Sequence, residues 1–480
     1  MTDPTRLKKL RACGRLETFS TARHHLGFYK NVGFTAEYTS SDTHDASLES
    51  QVYIALRHVI AQHPNLSVIT LNEDQSYPNV YFARLPEIDL RTCVEFRDRK
   101  TLFPQNGETD EELDELLAEQ HSRNFKEEIG SKPFWRLIVQ RSSSDTTKFT
   151  ATWMWHHALA DGASALLFHE SFLTGLNSAA SESDAGPIVT TPTADLLPPL
   201  EELHSMPISW SFFFGVILGS VLPSIFAKRP AKLWTGSPIP GDNTTIPRPR
   251  YRTLVLSAET TKNMAQVSRA EKVSVTATLQ CLLAASLFSH VPAAEYEKLK
   301  IDGPISMKRF LDVEEKQMTN AIATYSYLHS RPTTDGTLTS NILENFSWHE
   351  ARAVKSTITS AVAKSGTDNP IALLRYVSDM PKYFLEKLGK QRNPTTEISN
   401  VGVWRGKQEP GQKWRVGRMV FSQCPNLVSG AFAVSAVTGG DGNAVLNFCW
   451  CEGAVEEGLM GKVIEGVREG VEGLISRMEA

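Results

Sequence analysis

The stretch from Lys148 to Leu173, KFTATWMWHHALADGASALLFHESFL, constrains the fold more than any other part of the chain. Phe149, Ala151, Trp153 and Trp155 alternate with Thr150, Thr152 and Met154, the period of two that a strand with two unlike faces requires. After Asp161-Gly162 the run ASALLFHESF changes to helical spacing. His156 and His157 therefore stand where a strand leaves its sheet. The sheet fixes a side chain placed there, while the following loop leaves it open to substrate.

The rest of the chain repeats this mixture of strands and helices. Leu48, Val52, Leu56, Val59 and Ile60 recur at spacings of three and four, which predicts a helix over Ser47–Gln62 that ends at His63-Pro64. The β-branched and aromatic runs Val32–Tyr38 and Leu66–Leu71 flank it as strands. An acidic helix is expected around Thr109–Asn124, followed by a strand pair over Phe134–Gln140 and Lys148–His157. Further strands are expected at Tyr251–Ser257, Lys300–Met307, Ala321–His329 and near the C-terminus. Helices are expected after Ser257, over Val275–His290, Leu338–Val362 and Ile371–Leu388, and over Glu456–Met478. At 480 residues the chain is long enough for two or three domains. We divide it into an N-terminal domain over 1–200 that carries the histidine motif, an apolar crossover over 201–250, and a C-terminal domain over 251–480. Residues 176–200, rich in Ser, Ala, Thr, Asp and Pro, are expected to be an exposed, mobile loop.

Composition excludes several classes. Fifty Lys and Arg against 54 Asp and Glu, with no long basic block, argue against a nucleic-acid partner. Six scattered cysteines without a CxxC disfavour a disulfide framework or structural zinc and favour a reducing compartment. The N-terminus lacks the apolar run of a signal peptide, so a cytoplasmic protein is expected. Residues 208–226, ISWSFFFGVILGSVLPSIF, form a 19-residue run without a charge, followed by Lys228, Arg229 and Lys232. It admits three readings: a membrane span, a helix lying peripherally on an intracellular membrane or lipid droplet, or a buried helix. A span would separate motifs that need to reach one site.

An imidazole at a strand end takes up and returns a proton near neutral pH, which suits activation of a hydroxyl for acyl transfer. The plainer reading of each histidine is a hydrogen-bonded strand residue. A metal site would recruit His156, His157, Asp161 and His169, but no HExxH spacing or cysteine pair supports one, so no metal is expected.

His157-Ala-Leu-Ala-Asp161-Gly162 is an HxxxDG motif, extended by His156 to HHxxxDG. It resembles the acyltransferase superfamily of chloramphenicol acetyltransferase, plant BAHD acyltransferases and peptide synthetase condensation domains. Gly14–Tyr38 (GRLETFSTARHHLGFYKNVGFTAEY) and Ala55–Val68 (ALRHVIAQHPNLSV) resemble the opening strand, helix and His-Pro turn of the fungal alcohol O-acetyltransferase branch. Ile398–Trp404 (ISNVGVW) resembles the Ser-Asn-x-Gly strand of the superfamily. The BAHD signature DFGWG and a GxSxG elbow are both absent.

The resemblance implies an α/β fold of two similar chloramphenicol acetyltransferase-like domains with mixed sheets and a tunnel between them. It implies a monomer that takes acetyl-CoA as co-substrate and a small or lipophilic alcohol as acceptor. His157 would be the general base, without a covalent acyl-enzyme. His156 would lie at the substrate site, although one residue earlier on a strand it faces the other way and serves packing. Asp161 would be structural and pair with a base in Gly303–Leu311, either Lys308 or Arg309; Arg309 is preferred because a guanidinium makes a two-pronged pair. Gly162 would give room beside the substrate, and Ser399 or Asn400 would donate to the oxyanion. The alternatives are acetylation of an amine or amino-lipid, and a noncatalytic acyl-CoA or lipid-binding protein.

Overall fold

The computed structural model describes residues 3–41, 47–105, 107–178, 186–221, 231–332, 341–406 and 411–479. The first half supplies β1 (Lys8–Ala12), β2 (Val32–Ser40), β3 (Val68–Leu71), β4 (Tyr81–Arg84), β5 (Glu87–Asp89), β6 (Val94–Asp98), β7 (Trp135–Arg141), β8 (Lys148–Trp155) and β9 (Ile188–Thr190). The second supplies β10 (Pro249–Leu256), β11 (Lys298–Ser306), β12 (Ile322–Ser330), β13 (Thr396–Val403), β14 (Trp414–Gln423), β15 (Phe432–Thr438) and β16 (Ala444–Cys451). Two mixed sheets dominate, one of five strands in the order β14-β2-β8-β7-β6 and one of six in the order β10-β16-β15-β13-β11-β12. Two small sheets, β1-β4-β3 and β5-β9, complete the N-terminal lobe.

The alternation in β8 does what the sequence requires. Trp153 and Trp155 stack at 4.1 Å, and Trp153 lies flat against Phe168 at 4.3 Å. Phe168 belongs to α4 (Ser164–Ser178), which follows the histidine motif and covers the sheet, with α2 (Leu48–Gln62) packed beside it. Aromatic groups of this size each contribute a few kcal/mol when buried. They fix the end of β8, and therefore the motif, against the core.

The lobes share their interior. Leu113, Leu116 and Leu117 of α3 (Glu111–Ser122) pack with Tyr251 and Val255 of β10 and Cys449 of β16. Asp114 of α3 accepts from the Thr253 main-chain N–H at 3.0 Å and from its hydroxyl at 2.5 Å. Helix α1 (Arg15–His25) sends Leu16 and Ala22 into a cluster with Ile305, Met307, Met380 and Phe384 of the second half.

Two boundaries differ from expectation. β14 belongs to 251–480 by sequence but pairs antiparallel with β2, from Trp414↔Ser40 to Gln423↔Val32, as the edge of the N-terminal sheet. A cut in the sequence therefore does not separate the lobes. Of the expected mobile loop over 176–200, residues 179–185 lie outside the described residues. The remainder is exposed in large part, at Ile188, Thr190 and Thr193–Asp195 among others, but it is tied down: α4 runs to Ser178, Ile188–Thr190 pairs with Glu87–Asp89, and Leu200 is buried. The apolar run contains a helix over Trp210–Val221, about 18 Å long at 1.5 Å per residue; residues 222–226 lie outside the described residues. Among the described residues no single helix is long and apolar enough to cross a membrane. All six cysteines are buried free thiols.

Candidate active site

β8 ends at Trp155, and the sheet continues for one more bond, with the His156 N–H donating to the Phe134 carbonyl at 2.9 Å. The chain then turns: the Leu159 N–H returns to the His156 carbonyl at 3.0 Å. His157 sits at the head of this turn, half-buried, beside the Tyr29 ring at 5.8 Å between centroids. Its Nδ1 makes no bond to any other group and lies against its own carbonyl, a contact that favours a proton on Nδ1 without the geometry of a full hydrogen bond. That leaves the lone pair on Nε2. Burial, followed by the charge of Arg23 and the neighbouring His156, pushes His157 down to about 3, so its imidazole is neutral across the physiological range.

The C-terminal lobe holds this turn through uncharged donors. Asn320 Nδ2 donates to the His157 carbonyl at 2.9 Å, and the Asp161 N–H donates to the Thr319 carbonyl at 2.8 Å. The Asp161 carboxylate accepts from the Ser164 N–H (3.0 Å) and hydroxyl (2.9 Å), the Thr319 hydroxyl (3.2 Å) and the Ala321 N–H (3.2 Å). The four donors to the Asp161 carboxylate do not include the imidazole, and the expected pair with Arg309 does not form. Arg309 lies exposed on the 3₁₀ turn Lys308–Phe310, and Lys308 Nζ donates to the Glu315 carbonyl at 2.5 Å. The contact from the second half is made by Thr319–Ala321, where the chain returns toward β12.

Gly162 sits in a close approach of the two lobes. A Cβ there would meet the Phe421 ring at 2.8 Å and Val401 at 3.3 Å, so the glycine lets β14 and β13 close on the motif. Asn400 is already engaged, donating to Thr276 Oγ1 at 3.1 Å and accepting from the Gly402 N–H at 2.9 Å. Ser399 is buried in register with Ser435. Ser435 receives a bond from Gln423, which accepts from the Tyr29 hydroxyl, so Ser399 adjoins a chain of polar groups that ends beside His157.

His156 does not line a substrate site. It is fully buried, its Nδ1 accepts from the Ala158 N–H at 3.0 Å, and its Nε2 lies 3.0 Å from the Glu73 carboxylate at an angle too bent for a well-formed hydrogen bond. Sequence reading singled out neither Glu73 nor Arg23, Tyr29 and Asn320. Only the Arg-His-His string of α1 hinted at them. A cavity beside the motif has a mixed wall, apolar at Leu159, Leu203, Leu311 and Met318 and polar at Arg11, Glu17, Asn65 and Asp195, and reaches Ala158 and Asn320, the immediate neighbours of His157.

Buried neutral histidines have a consequence for stability. His63 is held down to about 4 and His169 to about 3, and His121 also lies well below its ordinary value, in each case chiefly by burial. Below pH 6.5 the unfolded chain binds protons at these three sites that the folded chain does not, so stability falls as pH falls. Asp114, raised to about 7 by burial, works in the opposite sense between about pH 4 and 7. The melting temperature is expected to drop steeply from pH 6.5 to 4.5; one that stayed level or rose across that window would contradict the neutral assignment.

The chain matches the family model described as alcohol acetyltransferase over residues 12–460. It is 35% identical to the probable alcohol acetyltransferase crmB of Aspergillus fumigatus, over 95% of this chain and 97% of that one. In structure it is similar to TRI3 trichothecene 15-O-acetyltransferase from Fusarium sporotrichioides, with a TM-score of 0.69 at 12% identity over 99% of this chain and 96% of that one. It is also similar to the first condensation domain of the calcium-dependent antibiotic synthetase, with a TM-score of 0.58 at 13% identity over 98% and 96% of the two chains.

Proposed function

We propose that this chain, which belongs to the alcohol acetyltransferase family, transfers acetyl from acetyl-CoA to the hydroxyl of a small or lipophilic alcohol with His157 as the general base. The observation that carries the reading is a neutral, half-buried imidazole at a strand end, its main chain held from both lobes and its Nε2 lone pair free. In this mechanism Nε2 takes the proton of the acceptor hydroxyl as the oxygen attacks the thioester carbonyl, and returns it to the departing CoA thiolate. A ternary complex suffices, and no acetyl-enzyme forms. Ser399 is the candidate donor to the tetrahedral oxyanion. The six free thiols support an intracellular, reducing setting.

Incubating the protein with acetyl-CoA and a panel of alcohols and amines, while following thiol release and product mass, tests the reading. Acetate esters are expected. Acetamides would replace the alcohol with an amine acceptor, and absence of thiol release across the panel would count against catalysis.

The Trp210–Val221 helix has no charged residue and leaves Trp210 74% exposed, with Phe214 and Val216 also exposed and Phe213 against the exposed Tyr376. Aromatic groups of this kind favour the interface of a bilayer, and Lys228, Arg229 and Lys232 follow it in sequence, which suits an anionic surface. The proposed role is peripheral attachment. Trp210→Ala combined with Phe214→Ala is expected to reduce sedimentation with phosphatidylserine-containing vesicles several-fold while turnover of a soluble alcohol is kept. Equal sedimentation of the two proteins would remove the helix from this role.

A further inference from the structure

Glu73 lies in the turn after β3, where Asn72 takes a left-handed conformation (φ 62°) that a short polar side chain tolerates. The turn brings the Glu73 side chain inward, only 10% exposed, between two histidines. His24 Nδ1 of α1 donates to Glu73 Oε2 at 2.5 Å, and His156 Nε2 lies 3.0 Å from Oε1, the carboxylate oxygen that also receives the Thr70 hydroxyl. Two imidazoles and a carboxylate whose ligand atoms all lie within 4.8 Å of one another are, by composition, a donor set for a metal such as zinc. The outer nitrogens argue otherwise. A metal-bound histidine normally donates its second N–H outward. Here His24 Nε2 accepts from the Phe125 N–H at 3.0 Å, and His156 Nδ1 accepts from the Ala158 N–H at 3.0 Å. Both inner nitrogens therefore carry hydrogen and have no lone pair to give.

We propose that Glu73, supported by His24, is a positioning residue that fixes the tautomer of His156, and that His156 in turn fixes the main chain carrying His157. Glu73 is the acceptor that faces His156 Nε2, so it keeps the proton there and leaves Nδ1 as the acceptor for Ala158. Ala158 directly follows His157. The ring of the first motif histidine thus reaches across the second and clamps the peptide on its far side, while Asn320 holds the carbonyl of His157 from the other lobe. Burial raises the Glu73 carboxyl, but the neighbouring His24 and His156 outweigh it and keep the group ionised. The inference rests on His157 being the base, but its first test is independent of that role.

Full-length protein labelled with 15N-histidine reports tautomers directly. The His156 signal, identified by its loss in His156→Asn, is expected to show protonated Nε2 and bare Nδ1. Glu73→Gln offers one acceptor and one donor in place of two acceptors, so it cannot receive both imidazole N–H groups. Its kcat is expected to fall about ten- to hundredfold with KM for acetyl-CoA within about twofold, as for a displaced reacting group. Glu73→Asp should recover part of the rate. A wild-type His156 protonated on Nδ1, a Glu73→Gln turnover equal to wild type, or stoichiometric metal in the purified protein would each overturn the proposal. If Glu73→Gln does not fold, the wild-type tautomer decides. A fully active His157→Ala would remove the base assignment and leave the tautomer result to judge the clamp separately.

Discussion

His157→Ala is expected to lower kcat by about 10²–10⁴ at saturating acetyl-CoA and acceptor, the usual cost of removing a positioned base. The fold should survive the change. The side chain makes no hydrogen bond beyond its own residue, it is half-buried, and the bond from Asn320 goes to its main-chain carbonyl, which alanine retains. Melting temperature and acetyl-CoA binding should therefore stay near wild type while thiol release almost stops. His156→Ala should behave differently: it removes the acceptor of the Ala158 N–H and one neighbour of the Glu73 carboxylate, so stability and rate should fall together. Near wild-type ester formation by His157→Ala, or an acetyl group trapped on the wild-type protein without acceptor, would refute the mechanism.

Asp161→Ala should act first on stability. It strands the buried Ala321 N–H and the Thr319 hydroxyl, whereas Ser164 keeps the Asp161 main-chain carbonyl for its N–H and the Thr319 carbonyl for its hydroxyl. Unsatisfied buried donors cost about 1–3 kcal/mol each, and partial rearrangement of the hydroxyl brings the sum to about 2–4 kcal/mol. If the whole chain unfolds as one unit, that corresponds to about 2–4 °C in melting temperature. Activity should fall as well, because Thr319 and Ala321 flank the Asn320 that holds His157. Arg309→Met is the control, expected to change neither quantity because the side chain is exposed and outside the cluster. Calorimetry of the two variants separates the alternatives: equal losses would restore the ion pair, and an Asp161→Ala protein as stable as wild type would dismiss the cluster.

The parts of the site legible in the sequence are those carried by local periodicity. Alternation in β8 and helical spacing in α4 placed His157 at a strand end because each pattern is written within a dozen consecutive residues. The partners of that histidine come from segments whose local chemistry points elsewhere. Glu73 sits in LNEDQS, a string that reads as a solvated turn, and becomes buried only because Asn72 turns the chain inward. Thr319 and Asn320 lie in a loop without periodicity, and the rule that a carboxylate seeks a guanidinium favoured Arg309 over neutral donors ten residues further on. Low-complexity composition misled in the same way at Ile188–Thr190, where three residues amid Ser, Ala and Pro are recruited by the edge of β5.

Because β14 lies in the first sheet while its neighbours in sequence lie in the second, the two lobes are not exchangeable modules. A chimaera joined once, between the lobes of two relatives, would pair β2 of one parent with β14 of the other and seat a foreign Phe421 against Gly162. Recombination that respects this geometry needs three crossovers, one between the lobes and one at each end of 414–423, so that this strand travels with the N-terminal half.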